Sequence, residues 1–144
     1  MGYEKVTSIK DLQKKYENLD IKFRDSKENV IDSNLIMCFD YEYTESGAEV
    51  VIDTDEFTAV CPWTRLPDFG TLTVSYIPNK LCLELKSLKY YLLSYTGVEI
   101  VQEHAANKIL EDLASACNPF KMSVKLDYKI RGGLHTTVKV ELGD

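Results

Sequence analysis

The chain has 144 residues, of which 44% are hydrophobic and 28% are charged, and its formal net charge at pH 7 is −6. This size and balance are typical of one globular domain with its own core. The acidic charge argues against non-specific binding of nucleic acid, and no apolar run is long enough to predict a membrane span.

The N-terminal residues predict a short helix. Residues 7–18 begin with a Thr-Ser pair that can cap a helix, and they place Ile9, Leu12 and Tyr16 at helical spacing. Residues 19–33 are polar and show no periodicity, so we expect them to be irregular. We therefore interpret residues 1–33 as an extension of a core that spans 34–144, within a single domain over 1–144.

Three strands are predicted next. Residues 35–43 and 47–53 are rich in apolar and aromatic side chains and predict a hairpin with a turn at 45–47. Residues 71–77 alternate polar and apolar side chains, which is typical of a strand with one buried face.

Two helices follow, over 86–95 and 98–118. The second has the stronger helical periodicity, and a proline at position 119 ends it. Its expected buried stripe consists of Ala106, Ile109, Leu110, Leu113 and Cys117.

Two more strands complete the chain, over 120–130 and 135–142, and Gly132-Gly133 connects them. In the first, every even position is apolar, a strict period of two. The order of strands, two helices and strands predicts an α+β fold, in which an antiparallel sheet carries both helices on one face.

The four cysteines differ in their expected surroundings. Cys38, Cys82 and Cys117 lie within apolar segments, whereas Cys61 precedes Pro62, which ends a strand and leaves the thiol more exposed. No Cys-x-x-Cys pair exists and only two histidines are present, so no metal site is predicted. Reduced thiols and an N-terminus without an apolar signal segment indicate the cytoplasm.

Several segments together resemble one known family. ELKSLKYY at 84–91 matches the signature Glu-(Ser/Leu)-Lys-(Ser/Ala)-hydrophobic-Lys-(Leu/Tyr)-(Tyr/Phe/Trp) of the queuosine-pathway nitrile reductases. CPWTRLPDFGTL at 61–72, QEHAAN at 102–107 and RGGLHT at 131–136 resemble further segments of that family in order and spacing. The chain thus resembles the NADPH-dependent 7-cyano-7-deazaguanine reductases of the tunnelling-fold superfamily over roughly residues 50–142.

The resemblance assigns catalytic roles to Cys61 and Asp68. Cys61 would add to the nitrile carbon as a thiolate and give a thioimide, and Asp68 would protonate the nitrogen, which requires a carboxyl kept protonated by burial. From the residues alone, Cys61 is equally well a buried core thiol, and Asp68 is more simply a turn residue after a proline.

Substrate binding is implied for Glu103, together with Glu84 and Leu85. A deazaguanine presents a ring N–H beside an exocyclic amine, and a carboxylate can accept from both. Asn107, four residues after Glu103 on the predicted helix, can face the same pocket. Without the resemblance, Glu103 is equally well a solvated helix residue.

The cofactor implied is NADPH, bound by Lys86, Ser87 and Lys89. Lysines and a serine at a helix start can hold phosphates together with free backbone N–H groups. The alternative for these residues is the solvated start of an amphipathic helix.

Two positions depart from the family. Gln102 stands where a histidine usually precedes the pocket glutamate, so the second proton comes from His104, from His135 or from water. Arg65 stands where the family usually has glycine, and it either contacts an anionic group or is solvated.

The resemblance implies a reductase that makes 7-aminomethyl-7-deazaguanine with two NADPH. The alternatives are a transferase of the archaeosine-synthase type, which would act on nitrile-modified tRNA through the same thioimide, and a purine or pterin binder without catalysis. Tunnelling-fold subunits join edge to edge into a barrel, so we expect a homo-oligomer, a decamer of two stacked pentamers, with sites between subunits.

Overall fold

The computed structural model describes residues 8–25 and 30–143. The elements in chain order are α1 (Ile9–Asp25), a 3-10 turn (Ser33–Leu35), β1 (Cys38–Asp40), β2 (Val50–Val60), β3 (Pro67–Ile77), β4 (Leu81–Leu83), α2 (Leu85–Leu93), α3 (Gln102–Cys117), β5 (Lys121–Tyr128) and β6 (Thr137–Leu142). None of the described helices is long and apolar enough to cross a membrane.

A four-stranded antiparallel sheet in the order β2-β3-β5-β6 forms the centre of the molecule. β3 and β5 are its inner strands, and their alternation predicts the buried face correctly, since Leu72, Val74, Met122 and Val124 are at most 1% exposed. α2 and α3 pack on this face, and their apolar side chains share one core with those of the sheet. The α+β class with both helices on one face is confirmed.

The predicted hairpin between residues 35–43 and 47–53 is wrong. The first segment contributes only β1, which pairs with β4 in a separate two-stranded sheet, and the second is the start of β2, which pairs with β3 from Val50 opposite Tyr76 to Val60 opposite Pro67. The length of β2 is not evident from the sequence, because the acidic residues between 53 and 56 interrupt its apolar pattern. Pairing with a long, well-patterned neighbour keeps these residues extended.

α1 is longer than predicted, because it continues through residues 19–25, which we expected to be irregular. α3 ends as expected: Asn118 adopts a left-handed conformation with φ of 45° after the last helical residue, and Pro119 follows. The buried stripe of α3 is confirmed at Ala106, Ile109, Leu113 and Cys117, while Leu110 is half-buried.

β3 begins at Pro67, four residues before its predicted start at position 71. The period of two therefore extends back to Asp68, which points to the same side of the sheet as Leu72. The acidic residue proposed from the sequence thus lies in a strand, at the end of the helix-covered face, and not in a turn.

Candidate active site

The thiol of Cys61 lies at the first position after β2. Residues 61–66 form the loop of the β2–β3 hairpin, and Cys61 closes it twice: its carbonyl oxygen accepts from the Arg65 N–H at 2.8 Å, and its N–H donates to the Leu66 carbonyl at 2.9 Å. Cys61 is half-buried, whereas Cys38, Cys82 and Cys117 are buried. The expected contrast between Cys61 and the other three cysteines is confirmed.

Residues of this loop also change the pKa of the Cys61 thiol. The backbone N–H of Thr64, followed by the Thr64 hydroxyl and the Trp63 N–H, lowers the pKa of Cys61 by hydrogen bonding to the sulfur. Burial instead raises the pKa of Cys38 and of Cys117 to about 12. Among the four cysteines, Cys61 is thus the one suited to act as a thiolate.

Asp68 is buried, with 6% of its surface exposed. Its Oδ1 accepts a hydrogen bond of 2.6 Å from Nη1 of Arg131, which forms an ion pair with it. The sequence predicts burial around Asp68, and the structure adds a cation that pairs with its carboxylate form.

Cys61, Asp68 and Glu103 line one cleft of about 380 Å³. Glu103 reaches it from the first turn of α3, the helix that covers the sheet beside Asp68. Asn107, which we expected to face the same cleft, instead donates from its side-chain amide to the Glu103 carbonyl at 2.8 Å. The structure thus places the predicted nucleophile, the predicted acid and the predicted substrate-binding glutamate in one cleft. Asn107 does not line this cleft.

Neither histidine lines this cleft. His104 is exposed on α3, and the ring of His135 hydrogen-bonds Asp127 on the sheet. The residue of this helix turn that faces the cleft beside Glu103 is Gln102, at the position where the family usually has histidine. Because successive helical residues point about 100° apart, His104 cannot take over that geometry, and the prediction that it is catalytic finds no support here.

The predicted cofactor residues lie at the start of α2, outside this cleft. Glu84 caps the helix: its Oε2 accepts from the Lys86 N–H at 2.9 Å and its Oε1 from the Ser87 N–H at 2.8 Å. The Tyr16 hydroxyl of α1 also donates to Oε1. The backbone N–H groups that we expected to be free for a phosphate are occupied, and the Glu84 carboxylate, predicted to bind substrate, is engaged within the chain.

Ser87 is a structural residue in this arrangement. Its side chain is fully buried, its oxygen accepts from the Met37 N–H at 2.9 Å, and its hydroxyl donates to the Glu84 carbonyl at 2.8 Å. This burial does not support the prediction that Ser87 contacts the cofactor, because the hydroxyl faces the core.

Lys86 and Lys89 are exposed one turn apart and fit the phosphates of a dinucleotide by charge. Nζ of Lys86 lies 4.0 Å from the centre of the Tyr16 ring, a cation–π contact. Lys89 and Leu85 line an apolar groove of about 290 Å³ that follows β2 between Ile52 and Phe57. By exposure and charge, the two lysines fit an anionic cofactor better than the buried Ser87.

The sequence did not reveal two of the groups that shape the cleft. Arg131 and Thr64 both lie within segments that resemble the family, but no local spacing indicates that one would pair with Asp68 and the other with Cys61. Within residues 8–25 and 30–143, no three histidine, cysteine or acidic side chains are placed to hold a metal ion.

Comparison with known proteins gives consistent matches. A family model described as QueF-like protein matches residues 67–144. The NADPH-dependent 7-cyano-7-deazaguanine reductase of Chlorobaculum tepidum is 47% identical over 110 residues, which cover 76% of this chain and 94% of that protein. The enzyme of the same name from Caldanaerobacter subterraneus is 49% identical over 108 residues, 75% of this chain and 81% of that protein.

A solved structure is also similar. The crystal structure of the archaeosine synthase QueF-Like in the apo form matches with a TM-score of 0.65 and 30% identity, and the match covers 69% of this chain and 98% of that one.

Proposed function

Because this chain belongs to the QueF-like protein family, we propose that the cleft around Cys61 is where it reduces a nitrile. The chain is an NADPH-dependent reductase of 7-cyano-7-deazaguanine, a reaction that yields 7-aminomethyl-7-deazaguanine on the queuosine pathway. The observation that carries the site assignment is the meeting of Cys61, whose pKa is lowered, with Asp68 and Glu103 in one cleft.

The reductase assignment is favoured over the archaeosine-synthase alternative. The reductases are 47–50% identical to this chain over about three quarters of its length, whereas the archaeosine synthase structure is 30% identical. The two activities share the thioimide and differ in what resolves it, so the fold alone does not separate them.

The first chemical step belongs to Cys61 and Asp68. The sulfur of Cys61 adds to the nitrile carbon, and the electron pair released from the C≡N bond moves to the nitrogen, which takes a proton from Asp68. The hydrogen bonds from Thr64 and Trp63 favour the thiolate that this addition needs.

Glu103 orients the substrate. Its carboxylate, at the cleft edge, accepts from the ring N–H and the exocyclic amine of the deazaguanine as a bidentate pair. This pairing fixes the plane of the heterocycle and thereby the direction in which its nitrile projects.

NADPH, when bound, supplies a hydride for each of the two reductions. Lys86 and Lys89 would hold its phosphates by charge. Because neither histidine lines the cleft and Cys61 is partly open to solvent, we assign the second proton to water.

The assembly is proposed as a homo-oligomer, a decamer of two stacked pentamers. The groove beside Lys89 runs along β2 from Ile52, while Cys61 follows the far end of that strand. The groove ends at Phe57, four residues before Cys61, about 13 Å at the rise of an extended strand. The resemblance to tunnelling-fold proteins, whose sites lie between subunits, supports a site shared between neighbouring subunits. The four free thiols are consistent with a place in the cytoplasm.

The test is a covalent adduct. Incubation with 7-cyano-7-deazaguanine and no cofactor is expected to add the mass of the nitrile to the wild-type chain and nothing to Cys61→Ala, with Cys82→Ala as the matched control that still reacts. Addition of NADPH should then consume two equivalents per nitrile. A folded wild-type protein that forms no adduct would contradict the proposed site.

A further inference from the structure

Arg131 reaches the cleft from the turn between β5 and β6. Gly132 and Gly133 adopt φ of +57° and +80°, values that suit glycine, and the N–H groups of Arg131 and Leu134 each donate to the other's carbonyl, at 3.0 and 2.9 Å. This closed turn fixes the backbone from which the Arg131 side chain extends back to the start of β3.

The guanidinium holds both the side chain of Asp68 and the backbone next to it. Its Nη1 donates to Asp68 Oδ1 at 2.6 Å and to the Pro67 carbonyl at 2.9 Å. About a third of the Arg131 side chain is exposed, against 8% of the Asp68 side chain. A charge-assisted bond to a buried carboxylate is strong, and the second acceptor fixes its direction.

The pair lies beside the nucleophile, since Arg131, Asp68 and Cys61 all line the cleft. The negative charge of Asp68 opposes ionisation of the thiol and raises the pKa of Cys61, against the stronger effect of the Thr64 and Trp63 donors. The Arg131 cation offsets part of the negative charge of Asp68 and so makes the thiolate form of Cys61 less unfavourable.

We propose that Arg131 is a positioning residue that presents Asp68 to Cys61 as an oriented carboxylate. Asp68 takes the proton of the Cys61 thiol, the thiolate forms its bond to the nitrile carbon, and the same proton passes from Asp68 to the nitrogen as the π bond breaks. Asp68 then returns to the carboxylate paired with Arg131, so the step needs no external acid and changes no oxidation state. The inference rests on the proposed thioimide at Cys61.

This role of Asp68 differs from that of a carboxyl kept protonated by burial, which the resemblance implies. A carboxyl kept neutral by burial would start the step as an acid and would leave the thiol without a base. The ion pair makes Asp68 a base first and an acid second, within a single addition.

The experiment measures thioimide formation without NADPH, by mass, as a function of pH. Arg131→Gln is expected to slow adduct formation roughly 10- to 100-fold and to move the alkaline fall in its rate to higher pH, because the unpaired carboxylate disfavours the thiolate, whose formation removes the proton that the nitrogen needs. Arg131→Lys should recover part of the rate, since it keeps the charge and loses the planar fork. In a background of Asp68→Asn, Arg131→Gln should add little further loss.

The rate, the pH profile and the KM for NADPH distinguish a positioning role of Arg131 from a cofactor contact or an independent effect. An adduct that forms in Arg131→Gln at the wild-type rate and pH would overturn the proposal, as would a change confined to KM for NADPH, which marks a cofactor contact. A loss in Arg131→Gln that adds in full to that of Asp68→Asn would mean that Arg131 does not act through Asp68. Failure of the wild-type protein to form an adduct would instead overturn the proposed function itself.

Discussion

At the residue scale, the lowered pKa of Cys61 follows from its position just outside a strand. Inside β2 its N–H and carbonyl would pair with β3, and its side chain would lie in the sheet surface. One residue beyond, the chain turns, and the N–H groups of Trp63 and Thr64 point back to the sulfur. Two residues of the turn, Trp63 and Thr64, therefore also stabilise the thiolate of Cys61.

Thr64→Val tests this environment. The substitution removes the hydroxyl donor but keeps the backbone N–H of residue 64, so the pKa of Cys61 should rise part of the way to its ordinary value. Since only the thiolate reacts, the rate of alkylation by iodoacetamide should then begin its rise at a higher pH than in the wild type.

Thr71→Val, on an exposed position of β3, is the matched control and should leave the alkylation profile unchanged. In both proteins peptide mapping should find the label at Cys61 and not at the three buried cysteines. An unshifted profile for Thr64→Val would show that the hydroxyl does not contribute.

At the element scale, the backbone of the β2–β3 hairpin loop explains why the family usually has glycine at position 65, where this chain has arginine. Arg65 has φ of 61°, in the left-handed region that costs a residue with a Cβ and costs glycine nothing. The glycine usual in the family thus has a backbone reason. In return Arg65 gains an ion pair with Glu99 at 3.7 Å, with both side chains well exposed. Such a pair contributes little.

Arg65→Gly is therefore expected to stabilise the fold by about 0.5–1 kcal/mol, because relief of the left-handed strain exceeds the loss of an exposed ion pair. Arg65→Ala keeps the Cβ and loses the same ion pair, so it should give no gain. Urea unfolding of the three proteins measures the difference. Equal stability of the Gly and Ala variants would refute the backbone explanation.

At the scale of the whole molecule, the cleft beside Cys61 and the lysines proposed to hold the cofactor lie apart within one chain. The cleft beside Cys61 opens at the end of β2, and the lysines of the signature lie at the start of α2, outside it. We expect the proposed homo-oligomer to combine the cleft of one subunit with the lysines of another, which would connect the assembly to the activity and not only to stability.

Subunit mixing tests this arrangement. Cys61→Ala and Lys86→Glu should each be inactive alone as assembled proteins, and oligomers formed from equal amounts of both should recover about a quarter of the wild-type activity, because one site in four then combines two intact halves. Sedimentation should show the same oligomer mass for all three samples. Mixed oligomers without activity would place both halves in the same chain.

Local pattern determined much of this protein from the sequence alone. The period of two in β3 and β5, the apolar stripe of α3 and the proline after Cys61 each concern residues close in the chain, where backbone geometry relates spacing to direction. The resemblance of segments 61–72, 84–91 and 102–107 then indicated the activity and three residues of the cleft.

Only the tertiary structure decided the contacts between distant segments. Arg131 meets Asp68 across 63 residues, Ser87 turns to Met37 across 50, and β2 pairs with β3 where the sequence predicted a hairpin with residues 35–43. The physical reason is that spacing fixes the direction of a side chain but not its partner. Which charge faces Asp68, and which hydroxyl is buried, depend on how the sheet and helices pack.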